Sequence, residues 1–329
     1  MSITSAYPAD EAALAKVSRG GGAVTRALIV LATHNPQPGL FTRQLASIRA
    51  QSVEDFECLV LDDASGNRAY VSSQCDLDDR FTLLPAQPHL GHYGAFETLL
   101  STTRSDAPVF LCDQDDAWRA DKIERTLAAM RPGVQAVFSA MRVVDEHGEV
   151  LRDRFLPHRP GPRSLRPAQL LLMNCVSGAA LCASPATRRA ALPFPGAGLR
   201  GWHDQWLAAV AARLGEVAYI DEPLVDYTQH KEQVIGDGLR KVTPRRLRNY
   251  AGRTGSRAGL MADVRGRTGW ITAAAVRLLE LSDGRDPDLE SLARGRWSKR
   301  LAQQLWTGLR HGEIPPPRAV LLAAGYTLR

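Results

Sequence analysis

Three carboxylates lie within four residues of this chain, at Asp113, Asp115 and Asp116. Carboxylates this close repel one another unless a cation lies between them. Oxygen ligands with open coordination positions suit a hard divalent ion that also binds a substrate diphosphate. The alternative is a solvated acidic turn before the helix that the sequence predicts from Arg119. These residues alone leave both interpretations open.

The acidic segment follows an apolar run that is typical of a buried strand. Strand and helix patterns alternate at short intervals from residue 27 to residue 139. The pattern predicts strands at 27–32, 56–61, 81–84, 107–112 and 134–138, and helices at 38–51, 69–75, 93–103 and 119–130. Continuous apolar strands that alternate with helices predict an α/β fold, with a mostly parallel sheet covered by helices on both faces.

Polar residues follow three of these predicted strands. The first strand runs into Thr33 and Asn35, the second into Asp62 and Asp63, and the fourth into the acidic segment. Because ligands gather at the carboxyl ends of strands in such sheets, we expect these side chains to share one cleft. A helix cap or an Asx turn is the alternative for the aspartate pair. The sequence has neither a glycine-rich dinucleotide fingerprint nor a P-loop.

The pattern changes after residue 140. It predicts a hairpin over 141–151, a proline-rich loop at 157–167, a short helix at 167–172, an amphipathic helix at 202–214 and a strand at 217–220. Beyond residue 242 the chain is arginine-rich, with helical patterns at 245–250, 270–281 and 289–309. We therefore expect a disordered tail at 1–25, one domain at 26–240, and a basic, mainly helical C-terminal extension at 241–329.

Composition is that of a soluble globular protein, with 44% apolar and 23% charged residues. No apolar run approaches the roughly 20 residues of a membrane span, and the start of the chain lacks a signal-peptide pattern. The five cysteines form no pair with metal-ligand spacing, and their odd number does not suggest a disulfide framework. The sequence thus predicts a cytoplasmic protein without a structural zinc site.

Positive charge is concentrated in the C-terminal extension. From Arg240 to Arg329 there are 18 Lys/Arg against 7 Asp/Glu, although the net charge of the whole chain is only +6. Such a surface is typical of a protein that contacts an anionic partner, here an anionic membrane lipid or the diphosphate of an acceptor. A solvated helical face is the alternative, and no nucleic acid is expected because binding it needs more than charge.

Several motifs, in this order, resemble those of inverting family 2 glycosyltransferases with the GT-A fold, and within that family bacterial rhamnosyltransferases. The resemblance extends from about residue 27 to residue 236, and its motifs are Leu31-Ala-Thr33-His-Asn35, Leu61-Asp62-Asp63-Ala-Ser65, His89-Leu-Gly91-His-Tyr-Gly94-Ala, Asp113-Gln-Asp115-Asp116-Ala-Trp118, Asn174-Cys-Val-Ser-Gly178, Trp202-His203-Asp204-Gln-Trp206 and Tyr227-Thr-Gln229-His230. Two features depart from the family pattern: Gln233 replaces a usual asparagine, and His89-Leu-Gly-His92 replaces an asparagine-bearing loop.

The resemblance implies a donor-binding half at 26–118 and an acceptor half at 119–240. It implies a nucleotide-sugar donor, with dTDP-rhamnose favoured, bound by Thr33, Asn35, Asp62, Asp63, Gly94, Asp113, Gln114, Asp116 and Trp118. It also implies a Mg²⁺ or Mn²⁺ ion held by Asp113, Asp115 and His230. One of Asp62 and Asp63 would accept the pyrimidine N3–H.

For the acceptor half, the resemblance implies that Asp204 is the general base and that Asn174, Gly178, Trp202 and His203 contact the acceptor. The acceptor would be a hydroxyl of a surface polysaccharide or a lipid-linked glycan, at the inner face of the cell membrane. The alternative for Asp204 is a charge that only stabilises a helix N-terminus. Two other functions stay open, a nucleotidyltransferase that makes an activated sugar and a Mg²⁺-binding regulatory α/β module.

Overall fold

A computed structural model describes residues 25–103, 105–156, 160–161, 165–196, 199, 201–230, 257–282, 284–296 and 299–310. The predicted tail at 1–25, apart from residue 25, lies outside these residues. So do the predicted helix at 245–250, Gln233, and the predicted domain boundary near residue 240.

Within the described residues, nine strands form one sheet. They are β1 (Ala27–Thr33), β2 (Phe56–Asp62), β3 (Phe81–Leu83), β4 (Val109–Cys112), β5 (Ala117–Trp118), β6 (Val134–Val144), β7 (Val150–Arg152), β8 (Leu181–Ala183) and β9 (Glu216–Thr228). The helices are α1 (Pro38–Arg49), α2 (Arg68–Cys75), α3 (Gly91–Thr102), α4 (Lys122–Ala129), α5 (Pro167–Leu172), α6 (Pro185–Ala191), α7 (His203–Leu214), α8 (Arg257–Glu280), α9 (Pro287–Ala293) and α10 (Lys299–Arg310).

The strand order is β3-β2-β1-β4-β8-β6-β9-β5, with β7 paired to β6. Strands β3, β2, β1 and β4 are parallel, so their carboxyl ends meet at one edge of the sheet. The other half is mixed, since β8 is antiparallel to both β4 and β6 whereas β6 and β9 run parallel. The predicted α/β fold is confirmed.

Helices cover both faces of this sheet, because the side chains of the central strands alternate between two cores. Leu28 and Val30 of β1 point into a core with α3, α5 and α7, whereas Ile29 and Leu31 point into a core with α1. Every residue of β1 is buried, which explains the continuous apolar run in its sequence.

Two strands are longer than the sequence predicts. The predicted strand at 134–138 and the first arm of the hairpin form the single strand β6, which contains neither glycine nor proline. Strand β9 continues past the predicted 217–220 to Thr228. Its Pro223 lies at a register shift, where Ser139 pairs with Ile220 and Ala140 pairs with Pro223. A bulge accommodates a residue without an N–H, and the sequence pattern does not reveal it.

The helical character predicted for the C-terminal extension is also found, with different bounds. Helix α8 begins at Arg257 rather than near residue 270, and the single helix predicted over 289–309 is two helices, α9 and α10. Trp270 and Leu278 of α8 are fully buried in the core shared with α7. The Trp270 Nε1–H donates to the Tyr93 hydroxyl at 2.9 Å, and this hydrogen bond joins α8 to α3.

Candidate active site

The acidic loop, which is the acidic segment Asp113–Asp116 after β4, is fixed to the end of β1 through Gln114. The Gln114 side-chain carbonyl accepts two hydrogen bonds, from the Thr33 hydroxyl at 2.7 Å and from the His34 N–H at 2.8 Å. Because β1 and β4 are neighbours in the sheet, both partners lie at the same carboxyl edge. Thr33 and Gln114, which are both predicted to bind the nucleotide sugar, are therefore in contact.

The loops after β1 and β2 are also joined. The Asn35 N–H donates to the Ser65 hydroxyl at 2.7 Å, and the Asn35 side-chain oxygen accepts from the Gly66 N–H at 2.9 Å. Asn35 and Ala64 adopt left-handed backbone conformations, with φ of 45° and 60°. For Ala64 this conformation is strained, at a cost of roughly 1–3 kcal/mol, and such strain clusters at functional sites. Asn35 thus lies in a loop that is fixed by hydrogen bonds to Ser65 and Gly66, next to His34, whose N–H binds Gln114 of the acidic segment.

Asp62 and Asp63 have different surroundings. Both are buried, but both carboxylate oxygens of Asp63 accept backbone N–H groups at the start of α3, from Leu90 at 2.5 Å and Gly91 at 2.9 Å. Asp63 thus caps the N-terminus of a helix distant in the sequence, rather than a helix or turn of its own segment. Asp62 forms an ion pair with Arg68 at 3.3 Å through Oδ2, while its buried Oδ1 has no hydrogen-bond partner among the described residues.

The structure brings together Asp115 and His230, which are 115 positions apart in the sequence. His230 Nε2 lies 2.7 Å from Asp115 Oδ2. The Asp113 and Asp115 side chains are 28% and 20% exposed, so both are reachable from the cleft. Carboxylate oxygens with one imidazole nitrogen form a donor set that suits Mg²⁺ or Mn²⁺. These three predicted ligands therefore fit a divalent ion by their chemistry.

A second His/Asp group lies at the other end of the cleft. His34, Asp63 and His89 each offer a ligand atom, and these atoms lie within 4.8 Å of one another. However, the carboxylate of Asp63 already accepts two N–H groups, and His34 Nδ1 lies 2.6 Å from the Asp63 carbonyl oxygen, to which it donates when protonated. Asp115 and His230 likewise have each other as partners, so a metal ion held by Asp113, Asp115 and His230 stays a prediction.

Asp116 and Trp118 lie beneath the cleft rather than in it. Asp116 is buried, and its Oδ1 accepts the Thr228 N–H at 3.0 Å, which ties the acidic loop to the end of β9. Burial raises the pKa of Asp116, and repulsion by Asp115 and Asp113 raises it further. Trp118 is 5% exposed and packs against Phe110. A direct contact of either side chain with a sugar stays a prediction.

Asp204 lies at the first turn of α7, where local backbone groups orient its carboxylate. Its Oδ1 accepts the Gln205 N–H at 2.6 Å, and its Oδ2 accepts the Gly178 N–H at 3.2 Å. Burial raises the pKa of Asp204 to about 6, although hydrogen bonds from Gln205 and Asn174 and the proximity of His92 oppose the rise. A carboxylate with a pKa near 6 is a stronger base than an exposed one and is still ionised at neutral pH.

Gly178 and His203 form the wall beside this carboxylate. The His203 ring stacks on Phe96 at a centroid distance of 3.8 Å, and burial lowers the pKa of His203 far below its usual range. A Cβ on Gly178 would lie 2.6 Å from His203 Nε2, so only glycine fits there. Of the predicted acceptor residues, Asn174 and Gly178 thus contact Asp204, whereas His203 is buried behind it.

The remaining predicted residues lie around this wall. Trp202 is the partly exposed residue that precedes α7, whereas Trp206 is fully buried and donates from Nε1 to the Ala191 carbonyl at 2.8 Å. Gly94 lies within α3, where an added Cβ would come 3.3 Å from the Leu90 Cβ. Trp206 therefore serves the apolar face of α7.

His92 connects the acidic loop with the surroundings of Asp204, and the sequence identified it only as a departure from the family pattern. Its Nε2 lies 3.3 Å from Asp113 Oδ1, and its ring meets the His203 ring at 4.6 Å. Burial lowers the pKa of His92, but the hydrogen bond to Asp113 and the charges of Asp113, Asp204 and Asp115 outweigh it, so the pKa is raised. The His92 imidazole thus lies between the acidic loop and the carboxylate of Asp204.

Comparison with known proteins agrees with this fold. Residues 28–188 match the family model for Glycosyl transferase family 2. Over that stretch, the match supports a family 2 glycosyltransferase domain of the GT-A type. The Succinoglycan biosynthesis protein ExoW of Rhizobium meliloti (strain 1021) is 33% identical over 107 residues. That stretch covers 31% of this chain and only 33% of ExoW.

Two solved structures have a similar fold at low sequence identity. The S. aureus TarS 1-349 structure in complex with UDP-GlcNAc matches with a TM-score of 0.58 and 11% identity, over 91% of this chain and 79% of that one. GalNAc-T7 with UDP, GalNAc and Mn²⁺ matches with a TM-score of 0.52 and 12% identity, over 87% of this chain and 57% of that one. At these identities the likeness concerns the fold alone. No helix in the described part of the chain is long and apolar enough to span a membrane.

Proposed function

We propose that this protein is a metal-dependent inverting glycosyltransferase, which transfers a sugar from a nucleoside diphosphate donor to a hydroxyl group. The proposal rests on one observation above all. His92 links the acidic loop to the surroundings of Asp204, because it lies 3.3 Å from Asp113 and packs against His203, the neighbour of Asp204. A leaving group and an attacking hydroxyl can therefore bind on opposite sides of one sugar.

Asp204 is the proposed general base. Its carboxylate is partly buried and held by two N–H groups, so it is oriented before the acceptor binds. It would take the proton of the acceptor hydroxyl while that oxygen forms the bond to the anomeric carbon. The bond from this carbon to the diphosphate oxygen breaks on the opposite face, so the anomeric configuration inverts.

Asp113, Asp115 and His230 are the proposed ligands of a Mg²⁺ or Mn²⁺ ion. When bound, the ion would neutralise charge on the diphosphate leaving group. The 2.7 Å contact between Asp115 and His230 supports this assignment, because it brings the end of β9 over the acidic loop. His92 lies 3.3 Å from Asp113 Oδ1, where its protonated form would add a second positive group.

Thr33, Asn35 and Asp62 are the proposed nucleoside contacts. Of the two aspartates, Asp62 is the better acceptor for a pyrimidine N3–H, because its Oδ1 has no partner among the described residues and Asp63 is a helix cap. We propose dTDP-rhamnose as the donor from the Asp-Gln-Asp-Asp-x-Trp sequence, in which Gln114 braces the loop and Trp118 supports it from below.

The proposed acceptor is a hydroxyl of a surface polysaccharide or of a lipid-linked glycan. The name of the relative ExoW, a succinoglycan biosynthesis protein, supports a glycan acceptor. We also propose that the basic C-terminal extension contacts an anionic membrane. Helix α10 supports this idea, because it exposes Lys299, Arg300 and an indole, Trp306, that is 60% exposed.

A donor screen tests the proposal directly. We expect dTDP-rhamnose with Mn²⁺ to raise the melting temperature and to be hydrolysed slowly, and EDTA to abolish both effects. dTDP-glucose, UDP-GlcNAc and GDP-mannose are the matched comparison donors. A response to another donor alone would refute the rhamnose assignment, and no response to any nucleotide sugar would refute the proposed function. Formation of a nucleotide sugar from a sugar phosphate would instead show a nucleotidyltransferase.

A further inference from the structure

Lys122, the first residue of α4, is a buried cation outside the predicted site. Its side chain has no solvent exposure. Its ammonium donates to the Ala179 carbonyl at 2.8 Å and lies 3.3 Å from the centre of the Trp118 ring. Among the described residues, its close contacts are therefore a carbonyl and an aromatic ring rather than a carboxylate.

Stability of the fold alone does not explain a lysine at this position. Burial lowers the pKa of Lys122 to about 7, which shows that the ionised form is disfavoured there. Replacement of buried charged groups by apolar side chains of similar volume is often neutral or stabilising. The aromatic rings nearest the Lys122 nitrogen, Phe110 and Trp118, belong to a buried apolar cluster, which is an environment that a methionine also suits.

The two contacts of the ammonium belong to the two halves of the proposed site. Trp118 lies two residues after Asp116, at the end of the acidic loop. Its backbone N–H donates to the Ser47 hydroxyl at 2.9 Å. Ala179 lies in a single 3₁₀ turn, Gly178–Ala180. The first residue of this turn donates its N–H to Asp204 Oδ2. One side chain thus joins the donor loop to the turn that orients Asp204.

We propose that Lys122 is a positioning residue for the transfer reaction, whose ammonium fixes the Gly178–Ala180 turn, and through it Asp204, relative to the acidic loop. Lys122 is buried, so it touches neither donor nor acceptor and acts only through Trp118 and Ala179. The inference rests on the proposed function for its kinetic consequence, but the coupling of loop and turn is a property of the fold.

The test compares Lys122→Met with the wild type and with Arg131→Met, which alters a basic residue whose side chain is 62% exposed. For Lys122→Met we expect a melting temperature within about 5 °C of the wild type. We expect the dissociation constant of the donor nucleotide to stay within about twofold, and kcat to fall by about 10- to 100-fold because the base is misplaced. Arg131→Met should change none of these quantities.

Hydrogen exchange gives a readout that needs no substrate. In Lys122→Met the amides of the Gly178–Ala180 turn should exchange about tenfold faster, while those of α6 (Pro185–Ala191) remain unchanged. If the wild type turns over no donor, the proposed function fails, and this exchange measurement still decides the inference.

Three results would overturn the inference: unchanged exchange in the turn, a kcat within about twofold of the wild type, or a variant that does not fold. Failure to fold counts against it because Lys122 would then serve the structure. Lys122→Gln, which is uncharged but polar, should show the same faster exchange if the ammonium itself makes the link. Normal exchange in this variant would also contradict the inference.

Discussion

Substitution of Asp204 by asparagine should make the protein more stable and inactive at the same time. Burial raises the pKa of this carboxyl group from 3.8 to about 6, so its ionisation at neutral pH destabilises the folded state. A difference of about 2 pKa units corresponds to about 3 kcal/mol. Asparagine removes this cost. Its side-chain oxygen can accept only one of the N–H groups of Gln205 and Gly178, and its NH₂ group cannot accept the other, which is a loss of about 1–2 kcal/mol.

The net gain for Asp204→Asn is therefore about 1–2 kcal/mol at pH 7.5, or a rise of about 2–5 °C in melting temperature. Its pH dependence follows from the direction of the shift. Because the folded pKa lies above the unfolded one, the cost of Asp204 is absent below about pH 4 and complete above about pH 7. The stability difference between variant and wild type should grow over that interval.

Activity should respond in the opposite direction. The proposed base must be ionised, so wild-type kcat should rise with pH through about pH 6, where Asp204 titrates. Loss of a general base costs about 10²- to 10⁴-fold in rate. Donor affinity measured by calorimetry should be unchanged in Asp204→Asn, since the residue faces the acceptor side.

Thermal unfolding and acceptor-dependent release of nucleoside diphosphate, each measured from pH 4 to pH 8, test this reasoning. Asp106→Asn is the matched control, because the Asp106 side chain is 84% exposed and lies outside the proposed site. A stability difference that does not vary with pH would refute the buried, titrating carboxylate. Full turnover by Asp204→Asn would refute its role as the base.

Two further substitutions test the metal ligands and the wall beside Asp204. Asp115→Asn should lower Mn²⁺-dependent turnover by about 10- to 100-fold, with an unchanged melting temperature in EDTA. If the variant reaches half-maximal activity at the same Mn²⁺ concentration as the wild type, Asp115 is excluded as a ligand. Gly178→Ala should cost about 1–3 kcal/mol and lower kcat, since its Cβ would lie 2.6 Å from His203 Nε2. Gly39→Ala, where an added Cβ meets nothing within 4 Å, is its control, and equal unfolding free energies for the two variants would contradict the packing described here.

Local sequence was sufficient to predict the parallel half of the sheet. β1, β2 and β4 are buried on both faces, so their apolar runs are continuous and their ends are marked by polar residues. The mixed half was harder to predict. Strand β8 has three residues, and β9 passes through Asp221, Glu222 and Pro223 at a bulge, where neither alternation nor an apolar run persists.

The candidate site shows the same division. The sequence predicted that the polar residues after β1, β2 and β4 lie close together, because strand ends converge at one edge of a parallel sheet. The sequence could not separate Asp62 from Asp63, since both are buried and only the position of the α3 N-terminus makes Asp63 its cap. It gave no signal for Lys122, whose contacts lie on other elements.

The sequence by itself thus determined the fold class, the family 2 glycosyltransferase motifs and the identity of the acidic and histidine side chains. Only the tertiary structure decided how Asp115 meets His230, how His92 lies between Asp113 and Asp204, and why the pKa of Asp204 rises. The physical reason is that residue type and spacing are local, whereas burial, charge proximity and hydrogen-bond partners depend on segments distant in the chain.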